Sequence, residues 1–295
     1  MKVFLISFVG EKFDMDSAVL MKALERRGVE SRRVAWDDPS VNWAEPDLCI
    51  IKSASNYITK PDSFIRWAKN VEEKTRLWNN SSLVEWNHDK HYLRDLELKG
   101  VQIPPSVFVE RESDEKLTSI LSGKGWDEIV IKPTIGSGSF GLKRFEADSG
   151  EADSSLEELR SRGYSFDFMD DVYKCPPGDV IVQKFIPEIV NGEVSLLYFG
   201  GELSHAVIKR AKVGDFRSHR FYGASVEKHA PSIDELRIGE LVLGVMEHTE
   251  YARIDMVNTS RGPLVIEVEL IEPFLFFEMF PEAAEVFADH IRRSL

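Results

Sequence analysis

Apolar and polar positions change period several times along the chain. Val3 to Val9 is nearly all apolar, as a strand buried on both faces is, and Ser17 to Arg27 carries apolar residues at helical spacing before Gly28. Glu30 to Trp36 and Asp47 to Ser53 read as two further strands. Strand, helix and strand in that order predict a small parallel α/β unit, because a parallel pair needs a crossover that a helix can fill. A helix from Pro61 to about Lys74 and the polar turn Asn79-Asn80-Ser81-Ser82 follow, and a unit boundary is expected at that turn.

Beyond it the pattern alternates in shorter pieces. A helix through Asp89 to Lys99 closes at Gly100, and an extended stretch is entered through Pro104-Pro105. Trp126 to Lys132 and Leu142 to Phe145 read as strands joined by Gly136-Ser137-Gly138-Ser139-Phe140-Gly141, a glycine-rich hairpin. A short helix is expected near Ser155 to Arg160, and the stretch from there to Gly178 reads as irregular and in part mobile. Asp179 to Phe185 alternates as a strand, and Glu193 to Phe199 with Glu202 to Lys209 flank Gly200-Gly201, a turn pair suited to positive φ. Asp234 to Thr249 reads as a helix, Tyr251 to Val257 and Leu264 to Ile271 as strands, and Glu282 to Arg293 as a closing helix.

The last two strands bring the first chemistry. Period-two alternation puts Arg253 and Asp255 on one face of their strand and Glu267 and Glu269 on one face of the next. A turn centred near Arg261 sets Asp255 across from Glu267 and Arg253 across from Glu269. Carboxylates about 5 Å apart repel by roughly 3 kcal/mol per pair at an effective dielectric near 20, so one arginine does not neutralise such a patch if it is buried. Oxygen-only ligation suits Mg²⁺ or Mn²⁺ rather than zinc. A solvated acidic face is the alternative, and the apolar flank Leu270, Ile271 and Phe274 to Phe277 argues against it. The aromatic run Phe274 to Phe280 is expected in the core or at a subunit interface, which would admit a homo-oligomer.

Gly136-x-Gly138-x-x-Gly141 matches the dinucleotide-binding fingerprint, so an NAD-linked oxidoreductase is considered. That motif opens a helix, whereas Leu142 to Phe145 reads as a strand and Lys132-Pro133 stands before the loop. A loop between strands can fold over a triphosphate, offering backbone N–H groups and the Ser137 and Ser139 hydroxyls, with Lys132 as a point charge.

Charge and composition narrow the classes further. Fifty acidic against thirty-seven basic residues give a formal net charge of -13, with no basic stripe, so nucleic acid is not an expected partner. Cys49 and Cys175 lack metal-ligand spacing and read as reduced thiols. Glu11, Lys12, Asp14 and Asp16 follow the first apolar run at once, without a cleavage site, and no stretch reaches the ~18 apolar residues of a membrane span. A cytoplasmic protein is expected.

The order of these features, a lysine and glycine loop first and Arg-x-Asp with Glu-x-Glu last, resembles the ATP-grasp superfamily. Gly192 to Phe199, Ser204 to Val207, Tyr251 to Asp255 and Glu267 to Pro273 are similar to its bacterial branch of D-cycloserine synthetase and glutathione synthetase-like ligases. The resemblance implies an α/β chain, α+β in its C-terminal half: a Rossmann-like pre-ATP-grasp domain over 1–83, a central subdomain over 84–183 with the glycine loop, and a C-terminal subdomain over 184–295 with the metal hairpin. It further implies ATP and Mg²⁺ (or Mn²⁺) as cofactors. Lys90 in Trp86-Asn87-His88-Asp89-Lys90 takes the place of the first phosphate lysine, with Lys132, Ser137, Gly138 and Ser139 beside it. Gln183, Lys184, Phe185 and Ile186 lie on the hinge strand that packs on adenine, and Glu193 is placed at the ribose. Asp255, Glu267 and Glu269 become metal ligands. Arg253, Lys132 and Arg217 become catalytic groups, and Arg210 a further contact to phosphate or substrate. Where relatives tend to have an Arg-Ser-Thr-Trp-Asp-Tyr-like run, this chain has Lys52-Ser53-Ala54-Ser55-Asn56-Tyr57, which leaves the substrate open.

The implied activity is an ATP-dependent ligase that joins a small amino-acid-like carboxylate to an amine through an acyl phosphate. A phosphotransferase and a non-catalytic nucleotide-binding module are the alternatives. The histidines are scattered, with only His88 and His91 near metal spacing, and read mostly as local hydrogen-bonding groups.

Overall fold

A computed structural model of the 295-residue chain describes residues 1–12, 14–168, 171–246 and 248–295. The first layer is a parallel sheet of β1 (Lys2–Ser7), β2 (Glu30–Ala35), β3 (Leu48–Ile51) and β4 (Arg76–Trp78), ordered β2-β1-β3-β4. Its crossovers are α1 (Met15–Glu25) and α2 (Pro61–Glu72). Asp14 caps α1 by accepting the Ser17 N–H at 2.9 Å, and Pro61 opens α2, where its missing N–H costs nothing. Val3 to Ile6 of β1 and all of β3 are apolar and buried on both faces, as the sequence predicts for a parallel sheet covered by helices.

Next come α3 (Ser81–Asn87), α4 (Tyr92–Leu98), β5 (Ser106–Val109), α5 (Leu117–Ile120), β6 (Glu128–Pro133), β7 (Lys143–Glu146), α6 (Gly150–Ser161), β8 (Tyr164–Phe168), β9 (Asp171–Cys175) and β10 (Val180–Lys184). β5, β10, β6 and β7 form an antiparallel sheet in that order, with the glycine loop between β6 and β7. The third sheet is antiparallel and ordered β13-β12-β11-β14-β15, from β11 (Glu193–Phe199), β12 (Glu202–Arg210), β13 (Ser225–Lys228), β14 (Tyr251–Thr259) and β15 (Gly262–Glu269). α7 (Ile233–Val245) packs on it, and α8 (Pro281–Ser294) ends the chain.

Three expectations change. Ser81 and Ser82 are the first turn of α3 rather than part of a polar turn, because Asn80 accepts the Leu83 N–H and starts a helix there. The helix expected near Ser155 to Arg160 begins at Gly150, where Ser149 caps it and Glu151 and Asp153 meet the positive end of its dipole. The stretch read as irregular holds the hairpin β8–β9: Tyr164 and Phe166 alternate with Ser165 and Asp167, so only half of each strand looks apolar. Met169 and Asp170 within that stretch, and Glu247 in the expected helix to Thr249, lie outside the described residues.

One packing feature positions the site. The run after β15 crosses back to the first layer, where Leu275, Phe277, Phe287 and Ile291 are buried with Leu5, Leu24 and Ile50 in one core. Each such side chain contributes about 1.5–3 kcal/mol. The aromatic run is therefore core, and it fixes the end of the carboxylate hairpin against the parallel sheet.

Candidate active site

The pairing register of β14 and β15 sets Arg253 opposite Glu269 and Asp255 opposite Glu267, as alternation and a turn near Arg261 predict. One carboxylate oxygen from each of Asp255, Glu267 and Glu269 can be chosen so that all lie within 4.8 Å of one another. The Arg253 Nη2 donates to Asp255 Oδ2 at 2.8 Å and also to Glu269. The expected single guanidinium is not alone. Lys209 on β12 donates to Asp255 Oδ2 at 2.9 Å and pairs with Glu193, although Lys209 and Asp255 are 46 positions apart in sequence. No local pattern announces such a neighbour.

Neighbouring cations split acids that are alike in burial. Glu269 is pushed up to about 8 by burial, which its arginine offsets only in part. Burial acts on Asp255 too, but Arg253 and Lys209 outweigh it and hold that carboxyl far below the usual range. Glu267 is likewise held low against burial by Lys90 and Lys132. Lys90 Nζ stands 3.1 Å from Glu267 and donates to the Gly136 carbonyl at 2.5 Å, so it ties the carboxylate patch to the glycine loop. Burial pulls the Lys132 ammonium down to about 8. The patch thus comes close to internal charge balance without a ligand. A triphosphate would overturn that balance and draw in a cation at the three oxygens, a donor set that fits Mg²⁺.

Two cavities meet here. The larger, about 190 Å³, lies between the first layer, the glycine loop and the carboxylate hairpin. The smaller, about 120 Å³, is a slot lined by Val130, Lys132, Gln183, Phe185, Ile186 and Ile266. Ser139, Glu193, Ser218 and Glu267 line both. Gln183 is held by the Ser106 hydroxyl at 2.8 Å, and Lys184 lies at the mouth of the slot. Of these two cavities, Ser137 and Gly138 line the larger and not the slot, and Ser137 also lines two smaller pockets beside Lys90. Arg217 falls in the slot rather than beside Arg253: it pairs with Asp215 at 2.7 Å, and its guanidinium lies 3.5 Å from the Tyr222 ring centre. Arg210 is not among the residues lining either cavity and pairs with Glu227 on the neighbouring edge strand.

Residues that sequence reasoning passed over also reach the site. The Ser218 hydroxyl is buried without a hydrogen-bond partner among the described residues, at the junction of the cavities, where a ligand oxygen would satisfy it. Glu272, three positions past Glu269, is pushed to about 7 by burial and lines the larger cavity. Lys52 is buried, donates to the Pro273 carbonyl at 3.1 Å and stands 3.7 Å from Asp16, so part of the departing Lys52–Tyr57 run locks layers together. His91 is held by Asp89 at 2.7 Å, a local hydrogen bond rather than a pair with His88.

Residues 110–274 match the RimK-like ATP-grasp domain. The chain belongs to that family. Residues 3–79 match the N-terminal domain of D-cycloserine synthetase DcsG. The cycloserine biosynthesis protein DcsG of Streptomyces lavendulae is 27% identical over 298 residues, 96% of this chain and 94% of that protein. The ribosomal protein bS6–L-glutamate ligase of Shigella boydii serotype 4 (strain Sb227) is 28% identical over 64% of this chain and 58% of its own length. Among solved structures, D-cycloserine synthetase DcsG superposes with a TM-score of 0.87 at 23% identity, covering 100% of this chain and 99% of that one. D-alanine–D-alanine ligase from Bacillus anthracis with ATP superposes at 0.71 and 16% identity, covering 99% and 96%. Likenesses this distant in sequence carry the fold. The expected ATP-grasp architecture is present, and the chain is an ATP- and magnesium-dependent ligase of C–N bonds. Among the described residues no helix is long and apolar enough to cross a membrane.

Proposed function

We propose that this ligase activates a small carboxylate as an acyl phosphate and transfers the acyl group to an amine, with ATP in the slot and the carboxylate in the larger cavity. The meeting of the two cavities at Ser139, Ser218, Glu193 and Glu267 carries this reading, since phosphoryl transfer needs donor and acceptor in line and in contact. Gln183 to Ile186 and Ile266 frame a flat apolar site for the base, and Glu193 accepts from the ribose. Lys90, Lys132 and the loop from Ser137 to Ser139 hold phosphate oxygens, with Arg217 at the slot wall. Asp255, Glu267 and Glu269 would hold Mg²⁺, which supplies charge neutralisation for the phosphates. Arg253, steadied by Asp255, is positioned to stabilise the oxyanion that forms as the amine attacks. Units 1–83, 84–183 and 184–295 supply acceptor wall, loop and metal hairpin, and a cytoplasmic location belongs to the same reading.

Hydroxylamine added during turnover tests it. Trapping of a hydroxamate, with ADP released in step, is the expected result. A stable phosphorylated product without hydroxamate would turn the assignment to a phosphotransferase.

A further inference from the structure

Glu272 is an acid that the phosphate and metal assignments leave unused. It follows the end of β15 by three positions and lines the larger cavity beside Arg253, Glu269 and Phe274. Glu193, Asp255, Glu267 and Glu269 are each ion-paired to a lysine or an arginine, whereas Glu272 has no ion pair among the described residues. Lys90 and Ser137 face it from the side of the glycine loop, and Glu267 and Arg253 from the hairpin.

The segment that presents this carboxyl is pinned from two layers. Lys52 donates to the Pro273 carbonyl at 3.1 Å, and the Arg253 Nη1 to the Phe274 carbonyl at 3.5 Å. The arginine assigned to the oxyanion therefore also fixes the chain next to Glu272. Glu272 further lines a pocket of about 20 Å³, shared with Tyr57, Asn87, Lys90 and Tyr92, which has room for a single water. It borders both spaces.

An amine that attacks an acyl phosphate becomes positively charged at nitrogen and sheds a proton as the C–N bond forms. The titratable groups around the larger cavity narrow the acceptor of that proton. Asp16 is engaged by the N–H groups of Leu275 and Phe277, and both Asp14 oxygens accept from Ser17 and Ser53. Glu11 is ion-paired to Arg33. His219 accepts the Phe221 N–H at its Nδ1, at 3.3 Å, so the neutral ring carries its proton on Nε2 and has no lone pair to spare. Lys52 stands against Asp16, and Lys209 against Glu193 and Asp255, which holds both as ammonium ions. A carboxylate that shares its charge with a cation or a metal is a weaker base than one that does not. Glu272 is the acid that remains.

We propose that Glu272 is the general base of the ligation and takes the proton of the attacking amine. The amine lone pair makes the bond to the acyl carbon, and the C–O bond to phosphate breaks with its electron pair leaving on inorganic phosphate. The N–H proton passes to the Glu272 carboxylate, and a water in the pocket of Tyr57 and Tyr92 carries it away. The proposal rests on the ligase reading above and concerns its second half-reaction.

The test separates the two halves. Wild-type protein, Glu272→Gln and Glu272→Asp are assayed with Mg-ATP and a panel of free L- and D-amino acids and small carboxylic acids, alone and in pairs, with direct detection of the amide. Parallel mixtures receive hydroxylamine, which is unprotonated near neutral pH and attacks an acyl phosphate without a base. Glu272→Gln should lower the amide rate about a hundredfold, as loss of a general base does, and keep the hydroxamate rate within about threefold of wild type. Glu272→Asp keeps the carboxylate but sets it back by a methylene, and should fall between. If Glu272→Gln does not bind Mg-ATP, the ratio of amide to hydroxamate in Glu272→Asp decides, and a ratio equal to wild type overturns the proposal. An undiminished amide rate in Glu272→Gln also overturns it, as do amide and hydroxamate falling together, which would move Glu272 to the first half-reaction. Each of these leaves the ligase reading standing. Wild-type protein that binds Mg-ATP and forms no hydroxamate with any member of the panel would remove that reading, and the proposal with it.

Discussion

The carboxylate hairpin and the joint around Asp16 both bury acids beside cations, and they use them in opposite ways. Asp16 is 1% exposed, its two oxygens accept the backbone N–H groups of Leu275 and Phe277, and Lys52 stands against it while donating to a carbonyl. Both of its oxygens are engaged by the protein, at the edge of the larger cavity. Among the described residues Glu267 is ion-paired to Lys90 and Glu269 to Arg253, and both line the larger cavity. Charge whose partners are complete holds layers together, and charge with acceptors to spare waits for a ligand.

The largest test of that contrast is Glu267→Gln. Substrate-dependent ADP release should fall by about a thousandfold, roughly 4 kcal/mol of transition-state stabilisation, with the thermal midpoint little changed. A variant that melts early but turns over normally would reverse the two roles. Asp16→Ala should do the opposite. It strands two buried N–H groups and the Lys52 ammonium, so urea unfolding is expected to show a loss of about 3–5 kcal/mol, while KM for ATP in the folded fraction stays within about twofold.

His205 sharpens the picture at the same joint. Its Nε2 donates to the Leu275 carbonyl at 2.9 Å, and burial lowers the imidazole to about 4. A depressed folded-state value means the unfolded chain binds the proton more readily between about pH 4 and 6.5. The stability it contributes is complete above pH 6.5 and lost as pH falls to 4, at most about 3 kcal/mol in all. His205→Gln should flatten that part of the stability profile, read from urea midpoints across the range. The smallest effect is at the hairpin: Mg-ATP at ten times its Kd should stabilise the protein by about 1.4 kcal/mol, and ATP with a chelator by clearly less. Equal stabilisation by both would dissociate the three carboxylates from magnesium.

Legibility differed between the same regions. Asp255, Glu267 and Glu269 are visible in sequence because one strand pair has a period of two and a short turn fixes its register. Lys209 and Ser218 are not, since β11 and a long connection separate them from the hairpin they serve. The hairpin β8–β9 hides because Ser165, Asp167 and Lys174 interrupt its rings, whose partners far along the chain include Phe140 of the glycine loop and Phe8 beside β1.

What the sequence determined by itself is what local periodicity and covalent geometry control. That covers the parallel α/β start, the glycine hairpin, the facing carboxylates and the identity of the charged groups. Tertiary structure alone decided which charges are satisfied, because burial and partner count depend on groups brought from far along the chain. It also decided that Arg217 belongs to the slot, that Lys52 locks two layers, and that the loop tip ends in a stack of rings. Desolvation and ring contact are properties of three-dimensional neighbours, and no spacing in the chain encodes them.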